Sequence, residues 1–302
     1  MRYLLENEEL QAEVDSLGAE MKSLVIKQGG QEMLWGGSPE YWGETSPVLF
    51  PFIGKLKDFQ YTYEGRQFTM TKHGFAKRME FRTEIVEKDR IVLTLDSNPE
   101  TLESYPFLFR LEAEYRLAGA GVEVRWRVHN RGEEPMYFSM GGHPGFLCPP
   151  NQAAGHGVRR TDCSLKLHGA EGRSSLENLC VGDDGLLSGE TIQLAVKDGI
   201  LPVTEHIFDD DALLLREQGV RAVGLCDGAG KEYVRVESDA PVWGIWSVAD
   251  SNAGYICIEP WFGICDRTDY AGTLQERPLG NRVSGGETWQ GGYRIAVGRS
   301  DS

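Results

Sequence analysis

The hydrophobic pattern of this chain repeats with a period of two in run after run. The clearest run is 122–128, which puts Val122, Val124, Trp126 and Val128 on one face and Glu123, Arg125 and Arg127 on the other. Such alternation marks a strand with one buried face. The same pattern predicts strands at Leu4-Leu5, 10–14, 20–26, 32–35, 79–86, 91–95, 107–117, 191–196, 222–226, 233–236, 242–248, 255–259 and 291–297. Gly29-Gly30 and Glu64-Gly65-Arg66 predict hairpin turns, the second joining 59–63 to 67–70. Ser38-Pro39-Glu40-Tyr41-Trp42 reads as a short helix start, with a capping hydroxyl and a proline in the first turn. The apolar stretch 46–56 contains Pro47 and Pro51, so it predicts a buried loop with short extended pieces rather than a central strand. Residues 149–189 are rich in Gly, Ser and charge and predict long loops and short pieces. No long amphipathic helix interrupts the strands, so the expected class is all-β, a sandwich of several sheets. No linker divides the chain, and a single domain over 1–302 is expected.

Composition then narrows the partners. The 302 residues carry 31 basic and 46 acidic side chains, a net charge of −15. Nucleic acids and anionic membranes select basic surfaces, so neither is expected as a partner. No apolar run reaches the roughly 18 residues a spanning helix needs. The first residues show no apolar signal stretch, and none of the six cysteines forms a CxxC pair. Both observations predict a reducing, cytoplasmic setting.

Candidate chemistry sits where apolar runs end. His143 lies in Gly141-Gly142-His143-Pro144-Gly145-Phe146, just after a strand-like run. Proline disfavours helix before it, and the glycines leave room beside the imidazole. Taken alone, the hexapeptide reads equally as a tight corner with an incidental histidine. His73 and the acidic run Asp209-Asp210-Asp211 occupy similar places, the latter also reading as a solvated loop. Glu259 ends an apolar strand and precedes Pro260-Trp261-Phe262. A carboxylate buried among aromatics has a raised pKa and serves as a base near neutrality. Two histidines and a glutamate also compose a zinc ligand set, but neither histidine stands in HxH or HExxH spacing, so no metal is expected. Asp211 with Glu259 leaves open a carboxylate pair of the glycosidase kind.

The series of motifs resembles the aldose 1-epimerase (mutarotase) family, particularly its LacX-like branch. The matching segments are 49–56, then Lys72-His73-Gly74-Phe75-Ala76, then 139–146, Asp211-Ala212-Leu213, Gly244-Ile245-Trp246-Ser247 and Cys257-Ile258-Glu259-Pro260-Trp261. The resemblance implies a galactose mutarotase-like β-supersandwich acting on a small sugar without cofactor, as a monomer or homodimer. It implies Glu259 as base, His143 as acid and His73 as the residue polarising the ring-oxygen side. Asp211 matches a carboxylate that meets sugar hydroxyls. Trp261 and Phe146 can line a sugar face or pack in the core. Lys55 stands where the family commonly has arginine, and a lysine is a flexible point charge rather than a rigid fork. Lys72, Lys77 and Arg78 lie near His73, which keeps a hexose 6-phosphate open as substrate. A noncatalytic carbohydrate-binding protein is the remaining alternative.

Overall fold

The run at 122–128 forms the middle of strand Gly121–Asn130, with its valines and Trp126 buried and Arg125 exposed. The computed structural model describes residues 1–150, 159–250 and 252–298. Gly121–Asn130 lies inside a nine-stranded antiparallel sheet. In order its strands are Ile200–Pro202, Ser164–His168, Ala222–Cys226, Glu232–Glu237, Thr288–Val297, Gly121–Asn130, Phe109–Leu117, Arg90–Asp96 and Arg82–Val86. A six-stranded sheet packs on its inner face. It runs Leu213–Arg216, Val242–Trp246, Tyr255–Phe262, Met140–Gly142 and Val48–Leu49, with Gly145–Leu147 also pairing with Tyr255–Phe262. A four-stranded sheet, Arg2–Glu6 to Gln31–Glu32, covers one end. The fold is all-β, and one buried cluster runs from Leu5 to Val297.

Strand Tyr255–Phe262 is buried along its whole length. Ile256, Ile258 and Phe262 face the main core, where the Phe262 ring meets Trp126 edge-on at 6.5 Å. Successive side chains alternate, so Cys257, Glu259 and Trp261 share the opposite face. The strand extends past the predicted end at residue 259, through Pro260, because of a gap in its neighbour. Met140 pairs with Phe262 and Gly145 with Cys257. Between them the neighbouring chain detours to carry His143. The Ile258 N–H reaches Pro144 O on that side, so alternation points the hydrogen that Pro260 lacks at the break.

Two expectations change, and one helix appears that the pattern did not announce. Residues 38–42 form a turn closed by an isolated Ser38–Trp42 bridge, not a helix. The Ser38 N–H donates to Trp42 O at 2.8 Å, which folds the segment back on itself. Within 149–189, strands Ser164–His168 and Ser175–Val181 and the start of Leu187–Ala195 replace much of the predicted loop, while 151–158 lies outside the described residues. Ser175–Val181 and Leu187–Ala195 form a hairpin, and the second strand is exposed over most of its length. Its first residues, Leu187 to Glu190, carry no alternating apolar face, so only 191–196 was announced by the pattern. The single α-helix among the described residues, Pro99–Ser104, is too short for helical periodicity to register, although Asn98 caps it.

Candidate active site

Glu259 and His143 meet on one wall of a cavity of about 220 Å³. The Glu259 Oε1 lies 3.2 Å from His143 Nε2, and the Trp261 Nε1–H donates to Glu259 Oε2 at 3.1 Å. Both side chains are nearly closed to solvent, at 1% for Glu259 and 7% for His143. Burial pushes the Glu259 carboxyl well above its usual range, against the opposing Trp261 hydrogen bond. Burial, helped by the Lys77 charge, lowers the His143 imidazole to about 3. The pair thus favours neutral partners holding one proton between them.

The backbone of His143 is fixed by its N–H, which donates to Pro47 O at 3.1 Å. The flanking glycines admit protein rather than leaving space for a ligand. A Cβ on Gly142 would sit 2.7 Å from the Tyr293 ring, and one on Gly145 would sit 2.8 Å from the Trp42 indole. That indole stacks on His143, with centroids 4.8 Å apart and planes inclined by 30°. Trp246 meets the same imidazole edge-on at 5.8 Å. The room expected beside the imidazole is therefore taken up by aromatic wall.

His73 stands edge-on to His143, centroids 5.5 Å apart. Its backbone is left-handed, with φ at 66°. The conformation is held by a reciprocal pair of bonds: His73 N–H donates to Gly54 O at 2.8 Å, and Gly54 N–H donates to His73 Nδ1 at 3.1 Å. With Nδ1 accepting, the proton resides on Nε2. Burial, followed by the charges of His143, Lys72, Lys77 and Arg78, keeps this imidazole well below its ordinary pKa. His73 is consequently a neutral donor.

Of the acidic triplet, Asp211 is the member that lines the cavity, while Asp209 and Asp210 are exposed. Asp211 also has a left-handed backbone, at φ 75°, and its Oδ1 accepts from Ala212 N–H at 2.9 Å. Trp261 lines the cavity as expected. Phe146 does not: its ring is fully buried in the main core. Lys55 also falls outside the lining, because its Nζ donates to Asp184 O at 2.7 Å and lies over the Phe59 ring. The lining further includes Trp42, Glu44, Lys72, Lys77 and Trp246. Sequence reasoning missed the two tryptophans as site residues, since isolated aromatics in a turn or strand read as core. Lys77 pairs with Glu44 at 2.9 Å, whereas no carboxylate among the described residues lies within 4.0 Å of the Lys72 amine. Among the described residues, His143, Cys257 and Glu259 place ligand-type atoms within 4.8 Å of one another, close enough to hold a cation.

An all-β supersandwich with a histidine–glutamate pair in a small cavity defines the class, and the comparisons agree. Residues 1–208 match the family described as Aldose 1-epimerase, and the chain belongs to that family. The likeness to solved structures continues through Asp211 and Glu259. A galactose mutarotase related enzyme from Lactobacillus acidophilus is 32% identical, with a TM-score of 0.91 over 99% of this chain and 98% of that one. A galactose mutarotase-like protein from Lactobacillus casei is 25% identical, with a TM-score of 0.90 over 99% of this chain and 100% of that one. The plasmid-borne protein LacX of Lactococcus lactis is 28% identical over 98% of this chain and 99% of its own length. The galactose mutarotase-like architecture expected from the motifs is the one observed. Among the described residues, no helix is long and apolar enough to cross a membrane.

Proposed function

We propose that this protein is an aldose 1-epimerase that interconverts the α and β anomers of an aldohexose. The observation that carries the reading is the buried 3.2 Å contact between His143 Nε2 and Glu259 Oε1 on the cavity wall. Moving the pair's single proton from Glu259 to His143 creates a base and an acid together. Glu259 takes the proton from the anomeric hydroxyl as the C1–O5 bond breaks and C1=O1 forms. His143 delivers its proton to O5. Rotation about C1–C2 presents the other carbonyl face, and ring closure returns both protons. The His73 Nε2–H polarises the ring-oxygen side. Asp211 receives sugar hydroxyls, and Trp261 offers an apolar surface to the ring. Every group is regenerated, so the cycle needs no metal or organic cofactor.

Anomer exchange of glucose and galactose, followed by polarimetry or NMR, tests the reading. Glu259→Gln should keep its circular dichroism spectrum and lose at least about a hundredfold in rate. Exchange at the spontaneous rate for every aldose tried, with sugar binding retained, would instead make the protein a carbohydrate-binding relative. Lys72 and Lys77 in the cavity lining favour one second reading, a hexose 6-phosphate as substrate. Running 6-phosphates beside the free sugars separates the two.

A further inference from the structure

Arg160 lies outside the cavity and takes no part in the proton transfers, yet it is only 1% exposed. Taking a charge out of water is expensive unless it is paired. Among the described residues, no carboxylate lies within 4.0 Å of Arg160. Its Nη1 instead donates to Ser247 Oγ at 2.6 Å and to Val248 O at 3.0 Å, and Nη2 lies 3.5 Å from Ala249 O. The face of the guanidinium rests over the Phe208 ring, 5.2 Å from its centroid.

These two sets of partners lead to two different walls of the cavity. Residues 247–249 follow directly on strand Val242–Trp246, where the ladder has ended and the carbonyls need other donors. The last residue of that strand, Trp246, contacts both His143 and Trp42, at 5.8 and 5.9 Å between centroids. Phe208 belongs to the turn that ends in Asp211, a turn closed by Asp209 N–H to His206 O. We propose that Arg160 is a positioning residue, tying the Trp246 wall to the Asp211 wall and setting the width of the sugar cleft. A rigid planar fork with several donors and a stacking face suits this task, and a lysine does not.

The sugar-binding part of this proposal rests on the function proposed above, so the test has one arm that needs no sugar. In the full chain without ligand, Arg160→Met should raise hydrogen exchange about tenfold in 207–213 and 244–250, with no change in Phe109–Leu117 or Gly121–Asn130. In the anomer-exchange assay, KM should rise about tenfold while kcat stays within about twofold, because the His143–Glu259 pair is untouched. Arg160→Lys should fall between wild type and Met in both readouts, and it carries the test if the Met variant does not fold. Unchanged exchange in either segment overturns the proposal. So does a general loss of protection with unchanged KM, or a fall in kcat at constant KM. If the wild type turns over no aldose, the proposed function fails, and the exchange arm still decides the role of Arg160.

Discussion

At the scale of the residue, Glu259 and His143 are each destabilised in the ionised form by the burial that makes them useful. The folded-state pKa of Glu259 lies above its ordinary value of about 4.5. Folding therefore retains a proton that the unfolded chain releases, and this share of stability drains away as pH rises above about 4.5. Glu259→Gln removes the drain. The variant should melt about 2–4 °C higher than wild type at pH 7.5 and lose that advantage near pH 4, as read by calorimetry. His143 acts in the opposite sense: its folded value of about 3 lies below the ordinary 6.5, so its share of stability is lost as pH falls through that window. Catalysis needs one proton on the pair. On its acid side the kcat/KM profile should consequently stay level below pH 6.5 and break only towards pH 3, as far as the fold survives, while its alkaline limb follows the raised Glu259 carboxyl as the pair loses its proton. An acid limb with its inflection near 6.5, activity falling below it, would mean an imidazole open to water.

At the scale of the element, strand Tyr255–Phe262 and the detour that carries His143 form one device. The detour interrupts a neighbouring strand, and Pro260 fits where a ladder hydrogen bond is missing. Pro260→Ala would aim an unpaired amide hydrogen at the break and give the unfolded chain more conformational freedom to lose on folding. It should lower stability by about 1–3 kcal/mol, measured by urea unfolding. The same device explains what could be read in the sequence. The alternation at 122–128 announced its strand because one face is buried and the other charged. His143 and Glu259 were legible because each ends an apolar run in a distinctive motif, whereas the motif order left Asp211 open against its neighbours Asp209 and Asp210, and only the folded chain brings Asp211 to the cavity. Pro260 ended the predicted strand early, since a proline is tolerated in a central strand only when its neighbour breaks, and that is a tertiary fact. Leu187–Ala195 was not read in full because most of it is exposed. Lys55 matched a motif position, but its amine turns to the Asp184 carbonyl, an interaction 129 residues away in sequence.

At the scale of the molecule, the field around the cavity is set by a net charge of −15. A neutral aldose feels little of it, so its KM should be constant between about 50 and 500 mM salt. A 6-phosphate would be repelled by the whole and attracted by Lys72 and Lys77 nearby. Its KM should change with salt over the same range, and steady-state kinetics on both substrates would show which field the site was built for.

The place of strand Thr288–Val297 has a consequence for how the protein is made. It is the last described strand in the chain, yet it sits between Glu232–Glu237 and Gly121–Asn130, in the interior of the nine-stranded sheet. During synthesis those two strands emerge long before the piece that joins them, and each presents a bare edge of unpaired amides and carbonyls in the meantime. The sheet can be completed only once this strand has left the ribosome, so until then the nascent chain carries two parts of one sheet with open edges. The late strand acts as a keystone of this sheet, whereas the Glu259 strand pairs directly with the strands on either side of His143 and does not wait for it.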